Sequence, residues 1–231
     1  MNTQKVTRLF SLITIVLLLG TSSAIAKKMP QISHEGLERV KKDGSADYVY
    51  LHPEADFSGY SKIMLDEPEI SFQRFWKQTV NSQRTFDRIT DSDIAKMIEQ
   101  GKKLLIEEFT EAMKKADLTL VEEAGGDVLR VGASISKLNI KAPDPQKTAG
   151  SWSRIYAESA GDATLTIELY DSITGQILAR AIDTKIDVGE TVGWQQPRDH
   201  YSNVRDARQA LGAWARQLAK GLQRALEEGE K

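Results

Sequence analysis

Regular alternation of apolar and polar residues is the clearest pattern in the second half of this sequence. The stretches 128–140 and 163–170 place apolar residues at every second position, which is the period of a β-strand with one buried face. The stretches 118–122 and 176–188 also have strand composition. Alternation of this kind is typical of a half-solvated antiparallel sheet. Residues 171–175, Asp-Ser-Ile-Thr-Gly, predict a hairpin turn between the last two strands.

Two segments have the three- and four-residue apolar spacing of amphipathic helices. The first, 90–116, opens on Thr-Asp-Ser-Asp, whose side-chain oxygens favour a helix start; the second begins near Ser202 or Asn203 and runs towards Glu228. Gly101 falls on the apolar face of the first helix, which indicates a close approach to a sheet. We therefore predict a two-layer α+β domain, with a mostly antiparallel sheet and two amphipathic helices packed on one face.

The region before the first helix is less regular. Residues 48–51 and 61–65 have the composition of short strands, and 69–76 alternates in part. Residues 81–88 are polar and predict a loop. The rest of 27–59 has the composition of a weakly structured segment.

The N-terminus has the three parts of a secretory signal peptide. Lys5 and Arg8 precede an apolar run over 9–19, and the small residues Ala-Ile-Ala occupy 24–26. The run is about a dozen residues long, shorter than the ~20 that a bilayer-spanning helix requires. We therefore predict that 1–26 is a cleaved signal peptide and that the protein is periplasmic or secreted, in a bacterium.

The length of the chain limits how many domains it can form, and its charge limits the classes of partner it can bind. We predict an N-terminal extension over 27–58 that is partly ordered, followed by a single α+β domain over 59–228. The chain has 31 basic and 33 acidic side chains and a net charge of −2, a balance that indicates no basic face for nucleic acid and no Lys/Arg cluster for an anionic membrane. No apolar run after the leader is long enough to cross a membrane.

The absence of cysteine removes several kinds of site at once. A chain with no cysteine has no disulfides, no thiolate metal site, no cysteine nucleophile and no N-terminal cysteine to carry a lipid. The three histidines share no metal-binding spacing: they are His34, His52 and His200. A serine elbow and a glycine-rich phosphate loop are also absent from the sequence. We predict no catalytic residue, no metal and no cofactor.

Pairs of carboxylates keep an enzymatic alternative open. A glycosidase needs two carboxyl groups across a cleft, one of them with a raised pKa. Exposed acids at strand ends are the simpler interpretation. The pairs that could serve are Glu122 with Glu123, Asp66 with Glu67, and Asp183 with Asp187.

Two long loops combine aromatic, arginine and amide side chains, and long loops in compact domains are often functional. Side chains of these types form binding hot spots and stacking platforms, although a tryptophan can equally cap the end of a core. If the flanking strands are neighbours, the loops meet at one end of the sheet. The predicted binding residues are Trp152, Arg154 and Tyr156 in the first loop and Trp194, Gln195, Arg198 and Tyr201 in the second.

Four segments, in this order, carry a family resemblance. They are 60–68, 127–131, 167–175, and 206–210 together with Trp214 and Ala215. The most specific is the Tyr-Asp-Ser-x-Thr-Gly hairpin. Together they resemble a bacterial family of exported, lipoprotein-like proteins catalogued as domain of unknown function 3313. The resemblance spans roughly residues 59–226 and implies an exported α+β domain. It implies no catalytic residues, and this chain lacks the cysteine through which many members look lipidated.

These observations predict an exported, non-enzymatic domain that binds another envelope component: a protein, a glycan or a lipid-linked surface. Nucleic acid is not among the predicted partners, and no integral membrane segment is predicted after signal cleavage. The alternative is a periplasmic hydrolase that uses a carboxylate pair or a metal. A third interpretation is a structural subunit that docks through a sheet edge.

Overall fold

A mixed sheet forms the centre of the fold. The computed structural model describes residues 29–40, 46–141, 143, 155–157, 161–188, 196–198 and 200–229. The strands in these ranges are β1 Glu38–Arg39, β2 Tyr48–Leu51, β3 Lys62–Leu65, β4 Glu69–Phe72, β5 Thr119–Leu120, β6 Val128–Ile140, β7 Ile155–Ala157, β8 Gly161–Asp171, β9 Ile177–Val188 and β10 Gln196–Arg198. The helices are α1 Trp76–Ser82, α2 Asp91–Lys115 and α3 His200–Gly229. The predicted signal peptide lies outside the described residues.

Eight of these strands form one sheet in the order β1-β2-β9-β8-β6-β3-β5, with β4 also paired to β6. The pairs from β1 to β6 along this order are antiparallel, whereas β3 and β4 both run parallel to β6. The strand β4 takes over from β3 along β6, after a break that contains the fully buried Pro68. The predicted α+β class with a mostly antiparallel sheet is confirmed.

The sheet has two distinct ends. At one end Ile140 lies opposite Gly161, and Gly161 lies opposite Val188. The short strands β7 and β10 pair with each other. Along the chain β7 ends four residues before Gly161 and β10 begins eight residues after Val188, so we call this the ribbon end. At the other end the turn 171–175 joins β8 to β9, as predicted, and we call this the hairpin end.

The helix α2 begins as its sequence predicts. The Thr90 hydroxyl accepts a hydrogen bond from the Asp93 backbone N–H, and the Asp93 carboxylate accepts one from the Thr90 N–H, which is a capping box. A Cβ atom placed on Gly101 would lie 2.8 Å from Cδ1 of Ile70 in β4. The expected close approach of this glycine to the sheet is therefore confirmed.

One hydrophobic core lies between the sheet and the two long helices. The apolar positions that alternate along β6 and β8 share one face of the sheet, since Ile135 lies opposite Leu165 in the ladder. Side chains from α2 and α3 complete the same cluster, so the two helices cover one face as predicted. Its members include Leu129, Val131, Ile167, Leu105, Phe109, Met113, Leu211, Trp214 and Leu222.

Two features differ from the sequence prediction or add to it. The helix α1 forms where partial alternation and a loop were expected, because Trp76 packs at 4.3 Å from the Phe72 ring and donates a hydrogen bond from Nε1 to the Ile140 carbonyl at 3.1 Å. The hydrogen bond to Ile140, 64 residues away in sequence, is a tertiary contact that overrides a weak local pattern. The strand β2, predicted as a short extended piece, pairs with β9 inside the sheet. The predicted domain boundaries at 58 and 59 stay a prediction.

Candidate functional site

The Tyr-Asp-Ser-x-Thr-Gly motif that carries the family resemblance joins two turns at the hairpin end, and we call this set of contacts the lock. Asp171 Oδ1 accepts hydrogen bonds from the Ile173 and Thr174 backbone N–H groups and from the Thr174 hydroxyl, while Oδ2 accepts one from the Tyr60 hydroxyl at 2.8 Å. The buried Ser172 hydroxyl donates to the carbonyl of Gly125 and accepts from its N–H. The side chains of Asp171, Ser172 and Thr174 are therefore used to hold the turn 171–175 together and to join it to Tyr60 and Gly125.

The electrostatics of the lock agree with that role. The hydrogen bond from the Thr174 N–H, followed by the one from Tyr60, lowers the pKa of Asp171. Burial, together with the hydrogen bond to Asp171, raises the pKa of Tyr60 to about 12. A carboxyl that is ionised at neutral pH and a phenol that holds its proton are poor candidates for a general acid and a general base.

The lock predicts a stability effect rather than a functional one. We expect Asp171→Ala to lower the free energy of unfolding by about 1–3 kcal/mol, because four hydrogen bonds lose their acceptor. Asp171→Asn keeps the Oδ1 acceptor and should cost less than half as much in the same urea titration followed by circular dichroism. Equal losses for the two variants would contradict the proposed acceptor role.

The carboxylates considered for hydrolysis either pair with a basic side chain or are exposed to solvent. Lys102 donates to Glu67 at 2.6 Å and lowers the pKa of that carboxyl, whereas a general acid needs a raised pKa. Arg130 Nε lies 3.2 Å from Asp66 Oδ2. Glu122 and Glu123 are exposed. An open depression of about 360 Å³ beside Glu67 is lined by three glutamates and two lysines, so its charges are largely balanced.

Asp183 corrects the expectation of an exposed strand-end acid. It lies opposite Leu165 on the core face of the sheet and is only 6% exposed. The Trp214 indole Nε1 donates to its Oδ2 at 2.7 Å, and Lys185 Nζ lies 2.9 Å from the same oxygen. The side chain of Asp187 is not among those that the structure describes. Asp183 is therefore a paired, buried anchor for α3.

The histidines are dispersed. His34 is exposed, and His52 Nδ1 accepts a hydrogen bond from the Glu54 N–H. In the ranges that the structure covers, no group of three or more histidine or acidic side chains is placed to hold a metal ion. The side chain of His200 is not described.

A polar network covers the face of the sheet opposite the helices. Arg180 donates to both carboxylate oxygens of Glu35, at 2.8 and 3.1 Å, and to Glu168 at 2.7 Å. The hydrogen bonds from Arg180 and then from Ser33 hold the pKa of Glu35 at about 2. This network fastens the segment that precedes β1 to the sheet.

The same network continues towards β6. The Tyr170 hydroxyl donates to Glu168 at 2.6 Å, and burial together with this hydrogen bond raises the pKa of Tyr170 to about 12. The guanidinium of Arg130 lies 4.7 Å from the centre of the Tyr170 ring, a cation–π distance. Since each charge has an opposite charge or a ring beside it, the face is electrostatically balanced rather than poised for chemistry.

The pairing of β7 with β10 brings together the described part of each aromatic loop. Tyr156 in β7 lies opposite Pro197 in β10, and Ile155 lies opposite Arg198. Tyr201 is the second residue of α3. The side chains of these three predicted binding residues are not described, and Trp152, Arg154, Trp194 and Gln195 lie outside the described residues. The assignment of all seven to a binding surface stays a prediction.

Two exposed phenylalanines at the ribbon end were missed by sequence analysis. Phe75 is 58% exposed and Phe86 is 81% exposed. Their segment is held to the end of β6 by the hydrogen bond from the Gln73 N–H to the Leu138 carbonyl. A mixture of aromatic and basic residues over 72–88 was the available signal, the same composition that singled out the two loops.

None of the helices in the described ranges combines the length and the apolar character needed to cross a bilayer.

Solved structures with a similar arrangement are remote in sequence. A Xanthomonas campestris protein assigned to the family DUF330 is 12% identical, with a TM-score of 0.43, and the match covers 76% of this chain and 90% of that one. The PelC dodecamer from Paraburkholderia phytofirmans is 8% identical, with a TM-score of 0.35 and coverages of 70% and 89%. A DUF4136 family protein from Bacteroides thetaiotaomicron is 12% identical, with a TM-score of 0.35 and coverages of 80% and 98%. Likenesses this low carry no argument about function.

A family model, in contrast, matches most of this chain. A search of curated proteins gives no match to this sequence. The family model described as "Protein of unknown function (DUF3313)" matches residues 22–218, which is most of the chain. The resemblance to this family inferred from the four segments is thereby confirmed, whereas the exported, lipoprotein-like character stays a prediction. The protein belongs to the DUF3313 family.

Proposed function

We propose that this protein is a non-catalytic binding domain, exported to the periplasm or secreted by a bacterium, that holds another envelope component at the ribbon end of its sheet. The observation that supports this most strongly is the pairing of β7 with β10. It joins parts of the two loops of binding-type composition, and along the chain these parts flank the strand ends at Gly161 and Val188. The same end of the sheet presents Phe75 and Phe86. Aromatic side chains concentrated at one place are typical of contact surfaces.

The hairpin end and the polar face support the same proposal indirectly. Asp171, Ser172 and Tyr60 use their polar atoms within the fold, and Arg180 and Glu168 use theirs with each other. The described carboxylates of the hydrolase alternative are paired or exposed, so no specific observation favours that alternative. At the ribbon end, by contrast, two large apolar side chains of the described residues, Phe75 and Phe86, are exposed.

Capture of partners from the bacterial envelope tests the proposal. The protein is purified from the periplasmic fraction, where its N-terminus is expected at Lys27, cross-linked to envelope extract and analysed by mass spectrometry. We expect Trp152→Ala with Trp194→Ala to reduce recovery of the partner by about tenfold or more, the effect of losing a binding hot spot.

The matched control is Ile173→Ala. This side chain is apolar and 64% exposed but lies at the hairpin end, so its loss should leave recovery unchanged. Equal recovery by the tryptophan variants and the wild type would overturn the placement of the contact surface. A native chain that begins at Met1 in the cytosolic fraction would overturn the proposed location.

A further inference from the structure

The ribbon end is basic although the chain as a whole is acidic. Residues 73–90 and 137–143 contain six basic side chains and one acidic one, Asp87, whereas the whole chain has a net charge of −2. Composition predicted no such cluster, because the two segments are far apart in sequence. The basic residues are Arg74, Lys77, Arg84, Arg88, Lys137 and Lys141.

Hydrogen bonds hold the two segments together as one surface. The Gln73 N–H donates to the Leu138 carbonyl at 2.9 Å, Trp76 Nε1 donates to the Ile140 carbonyl at 3.1 Å, and the Arg84 guanidinium donates to the Pro143 carbonyl. These contacts bring the cationic side chains to one end of the sheet. Charges gathered in this way produce a local positive potential that the net charge does not reveal.

The acidic side chains in the neighbourhood only partly offset this charge. Asp91 at the start of α2 pairs with Lys77 at 2.7 Å, and Asp162 accepts a hydrogen bond from Asn139 at 2.9 Å. Asp93 is buried in the capping box. Arg74 and Lys137 are both exposed and contribute their charge to the outer surface.

Exposed aromatic rings stand among these cations. Phe75 has a φ of 64°, a left-handed conformation that is rare for a bulky residue. The helix α1 begins directly after Phe75. The Arg74 guanidinium lies 4.6 Å from the centre of the Phe75 ring. Backbone strain that leaves an apolar ring in water is a reason to look for a contact that covers the ring.

We infer that the ribbon end docks on an anionic phospholipid surface. Phe75 and Phe86 enter the boundary between headgroups and acyl chains, and the basic side chains around them contact the phosphates. Apolar rings within a basic surface are the combination that interfacial membrane contacts use. A soluble polyanion would satisfy the charges but offers no apolar phase to the rings. This inference rests on the proposed function and specifies its partner.

Vesicle flotation tests the inference with the protein purified from the periplasmic fraction. We expect binding to vesicles of phosphatidylethanolamine and phosphatidylglycerol, and little binding to vesicles of phosphatidylcholine alone. Raising NaCl from ~50 mM to ~500 mM should weaken the binding severalfold, because salt screens exposed charges. Phe75→Ser with Phe86→Ser should weaken it about tenfold or more, because two apolar contacts are lost.

Charge reversal tests the electrostatic half of the inference. Arg74→Glu with Lys137→Glu should abolish the preference for the anionic vesicles. The matched control is Lys114→Glu with Lys220→Glu, an equal change of charge at exposed positions. These two residues lie about 35 Å along α2 from Asp91 and about 30 Å along α3 from His200. Ile173→Ser is the matched control for the phenylalanines.

Three results would overturn the inference. The first is equal flotation by the phenylalanine variant and by Ile173→Ser, and the second is equal flotation by the two charge-reversed variants. The third is full competition by a soluble anionic polysaccharide, which would make the surface a polyanion site. If flotation fails while envelope capture still depends on Trp152 and Trp194, the lipid assignment falls and the proposed function stands.

Discussion

Replacing Trp214 by alanine is expected to lower the free energy of unfolding by about 3–5 kcal/mol, the usual effect of truncating a large buried aromatic side chain. The indole is 5% exposed and fills the space between α3 and β9. Its N–H is also a hydrogen-bond partner of the buried Asp183 carboxylate. Removing the ring therefore opens a cavity and leaves a buried charge that has Lys185 as its remaining partner among the described side chains. Urea unfolding followed by circular dichroism measures the effect.

Trp214→Phe separates the two contributions. Phenylalanine keeps most of the apolar contact but has no donor for Asp183, so we expect a loss of about 1–3 kcal/mol, smaller than for alanine. Asp183→Asn in the Trp214→Phe background should recover part of this loss, because it removes the buried charge. Losses below about 1 kcal/mol for both Trp214 variants would show that the indole is not the anchor of α3.

The second large effect is expected for Gly161→Ala. Gly161 has a φ of +148°, and a Cβ atom at this position would lie 1.9 Å from the Asn139 carbonyl oxygen. The neighbour is backbone, which has no alternative rotamer, so β6 and β8 have to separate at the ribbon end. We expect a loss of about 3 kcal/mol or more in the free energy of unfolding, with faster amide exchange at Ile140 and Val188 than in the wild type.

Gly221→Ala is the control for this change. Gly221 is a helical glycine in α3 with no atom within 4 Å of an added Cβ, so alanine should stabilise the protein by up to about 1 kcal/mol. Similar stabilities for the Gly161 and Gly221 variants would mean that β6 and β8 are not packed as closely as described. The Gly161 variant should also weaken vesicle binding if the ribbon end is the docking surface.

Local patterns in the sequence predict the elements well where each pattern is long. The strand β6 occupies the predicted 128–140, and α2 starts at the predicted capping cluster. The helix α1 has seven residues and depends on the hydrogen bond from Trp76 to the Ile140 carbonyl, a partner 64 residues away that no local pattern contains. The parallel pairing of β3 and β4 with β6 was likewise out of reach, since alternation identifies strands but not their neighbours.

The candidate site also has parts that the sequence predicted and parts that it did not. Composition alone selected the two loops that the pairing of β7 with β10 brings together. It missed Phe75 and Phe86, because an aromatic residue in a sequence gives no sign of whether its ring is packed or exposed. The position of Asp183 was misjudged because its interpretation as an exposed acid ignored its alternation with Ala181 and Ala179, which lie on the core face opposite Ile167 and Leu169.

The order of strands in the sheet has a consequence for biosynthesis. The strand β2 has only two neighbours in the described sheet, the two-residue β1 and the late strand β9. Residues 48–51 therefore wait for residues 179–182 to be translated before their edge of the sheet can form. Because this partner is translated late, the edge of the sheet formed by β1, β2 and β9 stays incomplete until most of the chain has been synthesised. Pairing over such a sequence separation is also slow. For most of its synthesis, a polypeptide of this topology therefore has an unpaired strand that a chaperone can bind.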